Sequence, residues 1–255
     1  MGPLMIILSR FLCFVFLVFS AATPHVHALP WLHAHATFYG ADQNPTALGG
    51  ACGYDNTFHA GFGVNTAAVS TMLFRGGQVC GACYRVMCDY RADPKWCLRG
   101  RTVTVTATNF CPPNNHGGWC DPPHHHFDMS MPAFFRIARQ GNEGIVPVLY
   151  IRVRCKRRGG VRFTLKGRGN FNMVMLSNVG GSGEVQAVWV RGSRSATWAP
   201  MHRNWGAYWQ ASMDLRNQNL SFKLTLSDSN SLLFSNVVPS SWSFGQTFSS
   251  HSQFF

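Results

Sequence analysis

The placement of cysteine constrains this chain more than any other feature. Cys52, Cys80, Cys83, Cys88, Cys97, Cys111, Cys120 and Cys155 all fall before residue 156, and none follows. An even set of cysteines in a secreted chain reads as four disulfides in an oxidising compartment, with the pairing left open by spacing alone. Where they stop is the clearest domain signal: a stapled first half precedes a second half held by core burial alone. The ninth cysteine, Cys13, lies in an apolar run over residues 4–19, interrupted by Arg10 and followed by Ser20, Ala21 and Ala22. That run is short for a bilayer span and reads as a secretory signal, here residues 1–28, cleaved between residues 22 and 30. An uncleaved anchor is the alternative. No later apolar stretch is long enough to span a bilayer, so the mature protein is expected to be secreted. Cys80-Gly-Ala-Cys83 has the spacing of a zinc ribbon or a redox motif, but no second CxxC matches it, and a disulfide role is preferred.

Charge is equally uneven. Lys and Arg total 22 against 10 Asp and Glu, a formal net charge of +12. Such a balance favours polyanions, which outside the cell means acidic polysaccharide or a membrane surface rather than nucleic acid. Arg152, Arg154, Lys156, Arg157 and Arg158 are the candidate cations for an acidic pectin. Any carboxylate chemistry must come from Asp42, Asp55, Asp89, Asp93, Asp121, Asp128, Glu143, Glu184, Asp214 or Asp228.

Along the chain, residues 35–40 read as a strand ending in a turn, with Thr37 and Tyr39 on one face. Residues 65–74 show Val69, Met72 and Leu73 at helical spacing, with Asn65 or Thr66 as cap and Gly76-Gly77 as stop, and predict a helix. Residues 84–88, 102–108 and 146–155 are alternating or β-branched and read as strands. The loop from Cys111 to Cys120 is rich in turn formers. Past the basic linker at residues 156–160 the pattern is strands and turns only: 161–165, 172–177, 185–190, 205–210, 221–226 and 232–238. Five to eight short strands in that length predict a small β-sandwich. Asn219-Leu-Ser221 is an N-glycosylation sequon.

His126-Phe-Asp128 is the candidate site. In an extended strand His126 and Asp128 share one face, while Phe127 enters the core. Ser130 is placed to cap a short helix, with Pro132 in its first turn and Gly141 as its stop. The plainer reading makes Asp128 a helix cap and His126 an exposed histidine. His124, His125 and His126 alternate in direction when extended, which argues against a shared metal ion. Neither metal nor cofactor is expected.

Several stretches together resemble an expansin, most closely the α-type. They are Ala36-Thr-Phe-Tyr-Gly40, Gly49-Gly-Ala-Cys-Gly-Tyr54, Asn65-Thr-Ala-Ala68, Cys80-Gly-Ala-Cys83 and Ala107-Thr-Asn-Phe-Cys-Pro-Pro-Asn-Asn115. His126-Phe-Asp128, Arg203-Asn-Trp-Gly206 and Trp242-Ser-Phe-Gly-Gln-Thr-Phe248 continue the series in order over nearly the whole mature chain. The resemblance implies a plant wall-loosening protein, with a six-stranded double-psi β-barrel (29–158) followed by an immunoglobulin-like β-sandwich (161–255) that binds polysaccharide. It implies the pairs Cys52–Cys80, Cys83–Cys155 and Cys88–Cys97, leaving Cys111 with Cys120. It also implies a barrel like that of family-45 endoglucanases, in which Asp128 matches the general acid. Glycoside hydrolysis normally needs a second carboxyl group across the bond. The matching base position falls near Gly40-Ala41, which carries none, and Asp42 is the nearest substitute.

Asp128 is therefore the residue expected to be essential for wall loosening, with His126, Thr37, Tyr39 and Asn109 around it. Asn109 stands where some relatives carry Asp; it can hydrogen-bond a sugar but cannot take its proton. Trp205, Trp209, Phe171 and Trp119 are the expected sugar platforms, since flat rings match the apolar faces of glucan rings. Trp205 and Trp209 share a face if their segment is one strand. Trp189, Trp198 and Trp242 compete for that role, and any sandwich of this size also wants a core tryptophan. Three functions follow. One is a monomeric, non-hydrolytic loosening protein acting on cellulose and xyloglucan. Another is an endoglucanase using Asp128 with Asp42, and a third is a defence protein that binds wall polymers without moving them.

Overall fold

The computed structural model describes residues 30–40, 50–141 and 144–255. The signal segment, Asp42 and Glu143 lie outside the described residues. Six strands form the first unit: β1 Leu32–Tyr39, β2 Thr66–Val69, β3 Cys83–Cys88, β4 Thr102–Phe110, β5 His126–Ser130 and β6 Val146–Val153. They close into a barrel in the order β1-β5-β2-β4-β3-β6. β1 pairs with β5 and β2 with β4 in parallel, and the other pairs are antiparallel, giving a double-psi barrel. Period-two alternation sends Phe127 and Met129 of β5 into the core, where Phe127 meets the rings of Tyr84 and Tyr150. Four disulfides tie this unit down: Cys52–Cys80, Cys83–Cys155, Cys88–Cys97 and Cys111–Cys120.

Residues 65–74 are not one helix. Thr66–Val69 is strand β2, buried along its whole length, and only Thr71–Phe74 makes a helical turn, α1. Val69 and Leu73 are buried while Met72 is exposed, so the helical spacing did not mark a single buried face. A strand covered on both sides shows no alternation, and its apolar run is indistinguishable by period from a buried helix. Ser130 does precede a turn of helix, α2 Met131–Phe134, with Pro132 at its start. The Ser130 hydroxyl donates to the Val64 carbonyl at 2.5 Å instead of capping, and α2 ends well short of Gly141.

The second unit holds β7 Arg162–Arg168, β8 Phe171–Ser177, β9 Val185–Gly192, β10 Ala199–Trp205, β11 Tyr208–Ser212, β12 Leu220–Leu226, β13 Ser231–Val238 and β14 Thr247–Ser249. Their order is β13-β12-β9-β10-β11-β8-β7-β14. β10 serves both halves of this sheet: Ala199–Met201 pairs with β9, and the stretch from His202 pairs with β11. The halves fold onto one another over a core in which Phe163 stacks on Phe222 at 4.9 Å and meets Phe234. The expected strand over residues 205–210 is broken. Trp205 ends β10, Gly206-Ala207 turns, and Tyr208 opens β11.

The two units share a third apolar cluster, where Tyr54 and Phe62 of the barrel side meet Met175, Ala207 and Tyr208 of the sandwich. Arg157 crosses this joint. Its guanidinium donates to the carbonyls of Gly81 and Val179 and to Thr106 Oγ1, and lies 4.6 Å from the Phe62 ring. Burial pulls its pKa down to about 10. Arg152 is also engaged, with Tyr84 Oη, the Ser182 carbonyl and Glu184. Neither arginine is therefore a free cation for pectin, which corrects the expectation at these two positions; Arg154, Lys156 and Arg158 are exposed. Among the described residues no helix is long and apolar enough to cross a membrane.

Candidate functional site

Register builds the site. Thr37 of β1 lies opposite Asp128 of β5, Asp128 opposite Ala68 of β2, and Ala68 opposite Asn109 of β4. One row thus runs across four strands. Between Ala67 and Ala68 the β2–β4 register slips by one residue, and this irregularity brings Asn109 instead of Thr108 into the row. Tyr39, two residues beyond Thr37 on the same face, shares a 3.2 Å hydrogen bond with Thr66 Oγ1. Ser70 secures the start of β5: its hydroxyl donates to the His124 carbonyl and accepts the His126 amide.

Thr37 Oγ1 is 2.8 Å from Asp128 Oδ1, to which it donates, and 2.8 Å from His126 Nε2. A hydroxyl has one proton to give. With that proton on Asp128, the Thr37 oxygen accepts from His126, which assigns the imidazole proton to Nε2. Nδ1 is then a bare acceptor, buried without a partner. The ring is 1 % exposed, and burial, then the neighbouring His35 and His124, pull its pKa down to about 4. His126 is thus a neutral positioning group beneath Thr37, neither an exposed histidine nor a proton source. Burial raises the pKa of Asp128, and the Thr37 donation partly offsets this. Asp128 does not cap α2; Ser130 stands at that position. Burial also raises Tyr39, against its Thr66 hydrogen bond, and the Asp128 charge adds to the rise. The arrangement can grip sugar hydroxyls, and burial helps Asp128 to hold a proton.

Aromatic rings continue the row at both ends. Trp119, 44 % exposed, lies over His35 with ring centroids 4.1 Å apart, and His35 is two residues before Thr37 on the same face of β1. At the other end Asn109 Oδ1 accepts the Ala51 amide at 2.7 Å and its neighbour Phe110's amide at 2.8 Å. Asn109 therefore holds the Gly50–Gly53 loop, and its carbonyl oxygen is already engaged. That loop presses on the sandwich: a Cβ on Gly53 would lie 2.2 Å from the Tyr208 ring and 3.0 Å from Trp205. Trp205, 44 % exposed, stacks on Tyr208 at 4.8 Å. Phe171, 41 % exposed, shares the outer face of β8 with Met173 and Met175.

Trp209 is not a platform. It is 4 % exposed and packs in the sandwich core under the Arg203 guanidinium. The two-residue turn after Trp205 reverses the parity that would have put both indoles on one face. Trp242 is also in the core. Sequence reasoning passed over His35, Ser70 and Tyr208. His35 was within reach, because it shares the period-two face of Thr37; Ser70 and Tyr208 depend on long-range pairing and carry no local signal.

A model of the expansin C-terminal domain matches residues 161–239, and one described as lytic transglycolase matches residues 66–150, from β2 into β6. Expansin-A12 of Arabidopsis thaliana is 65% identical over 247 residues, covering 97% of this chain and 98% of the relative. The chain belongs to the expansin family, α-type. Expansin-A13 of Oryza sativa subsp. japonica is 50% identical to this expansin over 229 residues, covering 88% of the chain and 87% of the relative. An apo expansin from Clavibacter michiganensis shares the fold at a TM-score of 0.68 and 22% identity, over 89% of this chain and 98% of that one. A point mutant of the same bacterial expansin has been solved in complex with cellohexaose, again at a TM-score of 0.68 and at 21% identity.

Proposed function

We propose that this expansin is secreted to the plant cell wall and loosens it without hydrolysis, by disrupting non-covalent contacts between cellulose and matrix glucans such as xyloglucan. One observation carries the reading: among the described residues one carboxyl, Asp128, lies in the cross-strand row it forms with Thr37, Ala68 and Asn109. The other described acids are occupied elsewhere. Asp55 pairs with Lys166, Glu184 with Arg75 and Arg152, and Asp214 with Arg216. Asp89, Asp93 and Asp228 accept backbone amides in turns, and Asp121 accepts four in the 111–120 loop. Hydrolysis by acid and base needs a partner carboxyl on the far side of the bond. A carboxyl with a raised pKa is suited to hydrogen-bonding a glycosidic or hydroxyl oxygen. The cellohexaose complex of the bacterial expansin supports a β-glucan as ligand.

In this reading the barrel, residues 29–158, does the prying, and the sandwich, residues 161–255, anchors the protein on cellulose through Trp205 and Phe171. The deciding experiment clamps heat-inactivated wall strips under load and assays reducing sugar in parallel. Extension without reducing ends above a buffer blank is expected from cellulose or xyloglucan. Sustained sugar release that disappears in Asp42→Ala would overturn the proposal in favour of an endoglucanase. Binding without extension would instead leave only a defence-type binder.

A further inference from the structure

The sandwich has a second outer face, on the half-sheet β10-β9-β12-β13. Pro200 lies opposite Trp189, Trp189 opposite Lys223, and Lys223 opposite Leu233. Their neighbours Val188, Val190, Phe222, Leu224 and Phe234 are buried in the core, so this cross-strand row points outward. Leu233 is 54% exposed, and Lys223 and Pro200 are exposed. Lys223 Nζ sits 5.1 Å from the Trp189 ring centroid. One step along the same face of β9, the Arg191 guanidinium sits 4.7 Å from the Trp198 ring. The ion pairs among the described residues are Arg75 and Arg152 with Glu184, Lys166 with Asp55, and Arg216 with Asp214. Lys223 and Arg191 belong to none of them.

We propose that this face is a second carbohydrate-binding surface, and that its ligand is an acidic polysaccharide built of uronate residues. The carboxylate of a uronate can pair with the cation lying over each indole, while the apolar face of its pyranose ring packs against the indole surface that the cation leaves open. A neutral glucan would leave Lys223 and Arg191 without counter-charge. The engagement of Arg152 and Arg157 inside the molecule removes two cations of the linker from this task, while the chain keeps its net charge of +12. The row crosses four strands about 4.8 Å apart, room for a short oligosaccharide. The face lies on the opposite side of the sandwich from Trp205 and Phe171, so one molecule can hold an acidic matrix chain and a cellulose surface together. The proposal requires neither Asp128 nor the Trp205 platform.

The test measures retention of the full-length protein on polygalacturonate and on cellulose over a range of salt. Trp189→Ala is expected to weaken polygalacturonate binding about fivefold, the loss of one stacked ring, and to leave cellulose binding unchanged. Lys223→Gln with Arg191→Gln should weaken it as well and flatten its salt dependence. Trp205→Ala should show the reverse pattern, losing cellulose and keeping polygalacturonate. Undiminished polygalacturonate binding by folded Trp189→Ala would overturn the proposal and leave only diffuse charge attraction. Should Trp189→Ala not fold, the double substitution at exposed Lys223 and half-buried Arg191 decides: unchanged retention again refutes the site.

Discussion

Asp128 and His126 meet through a single hydroxyl, and that fixes what each can do. Asp128→Asn keeps the size of the side chain but removes its charge and proton. Wall creep is expected to disappear while circular dichroism stays native, and undiminished creep would reduce Asp128 to a structural residue. Thr37→Val removes the donor that holds the Asp128 pKa down, so the carboxyl should titrate at higher pH than in wild type, read by carbon NMR of that side chain. His126 makes the fold acid-sensitive. Its pKa is about 4 when folded against 6.5 unfolded, so as pH falls through that window the unfolded chain takes the proton first. Stability present above pH 6.5 is therefore lost toward pH 4, by about 1.4 kcal/mol per pH unit and about 3 kcal/mol at most. Asp128 acts in the opposite sense: its raised carboxyl is protonated in the folded state first and returns some stability as pH falls. His126→Gln, which keeps a donor toward Thr37, should flatten the loss, measured as denaturation midpoint against pH.

The β10–β11 hairpin separates two tryptophans that lie only a few residues apart in sequence. Trp205 lies on the surface over Tyr208, and Trp209 faces inward. Trp205→Ala is expected to weaken cellulose binding about fivefold with little change in melting temperature. Trp209→Ala should cost about 3–5 kcal/mol by leaving a cavity in the sandwich core. If Trp205→Ala melts the protein, the exposed ring is a structural strut and the platform reading fails. The β2–β5 pairing belongs to the same scale: a short strand with no visible alternation carries the centre of the site's cross-strand row.

At the scale of the whole molecule, the barrel and the sandwich are joined by the Tyr54–Phe62–Met175–Ala207–Tyr208 cluster and by Arg157. Residues 161–255 expressed alone should still fold, because their core is complete and no disulfide belongs to it alone. They should melt at lower temperature than the intact chain, since Met175, Ala207 and Tyr208 lose their cover. Calorimetry of the two forms checks this, and equal melting temperatures would mean that the joint contributes nothing. Cellulose binding by the isolated unit should persist in high salt, because ring stacking is not screened.

Much of this was legible before any coordinates. The half-and-half use of cysteine, the mainly β pattern, the excess of positive charge and the opposed directions of Phe127 and Asp128 are properties of composition or of neighbouring residues. Backbone sterics and a period of two determine them locally. Other features were decided only by the fold. Thr37 meets Asp128 across a separation of 91 residues, and Tyr208 reaches Gly53 across 155. Residues 65–74 gave up their helical pattern because β2 is needed between β4 and β5, where pairing on both sides outweighs local propensity. Arg157 looks like linker charge until the joint closes around it. Strand register and domain packing come from the burial of residues far apart in the chain, and no local pattern records which distant partner a side chain will meet.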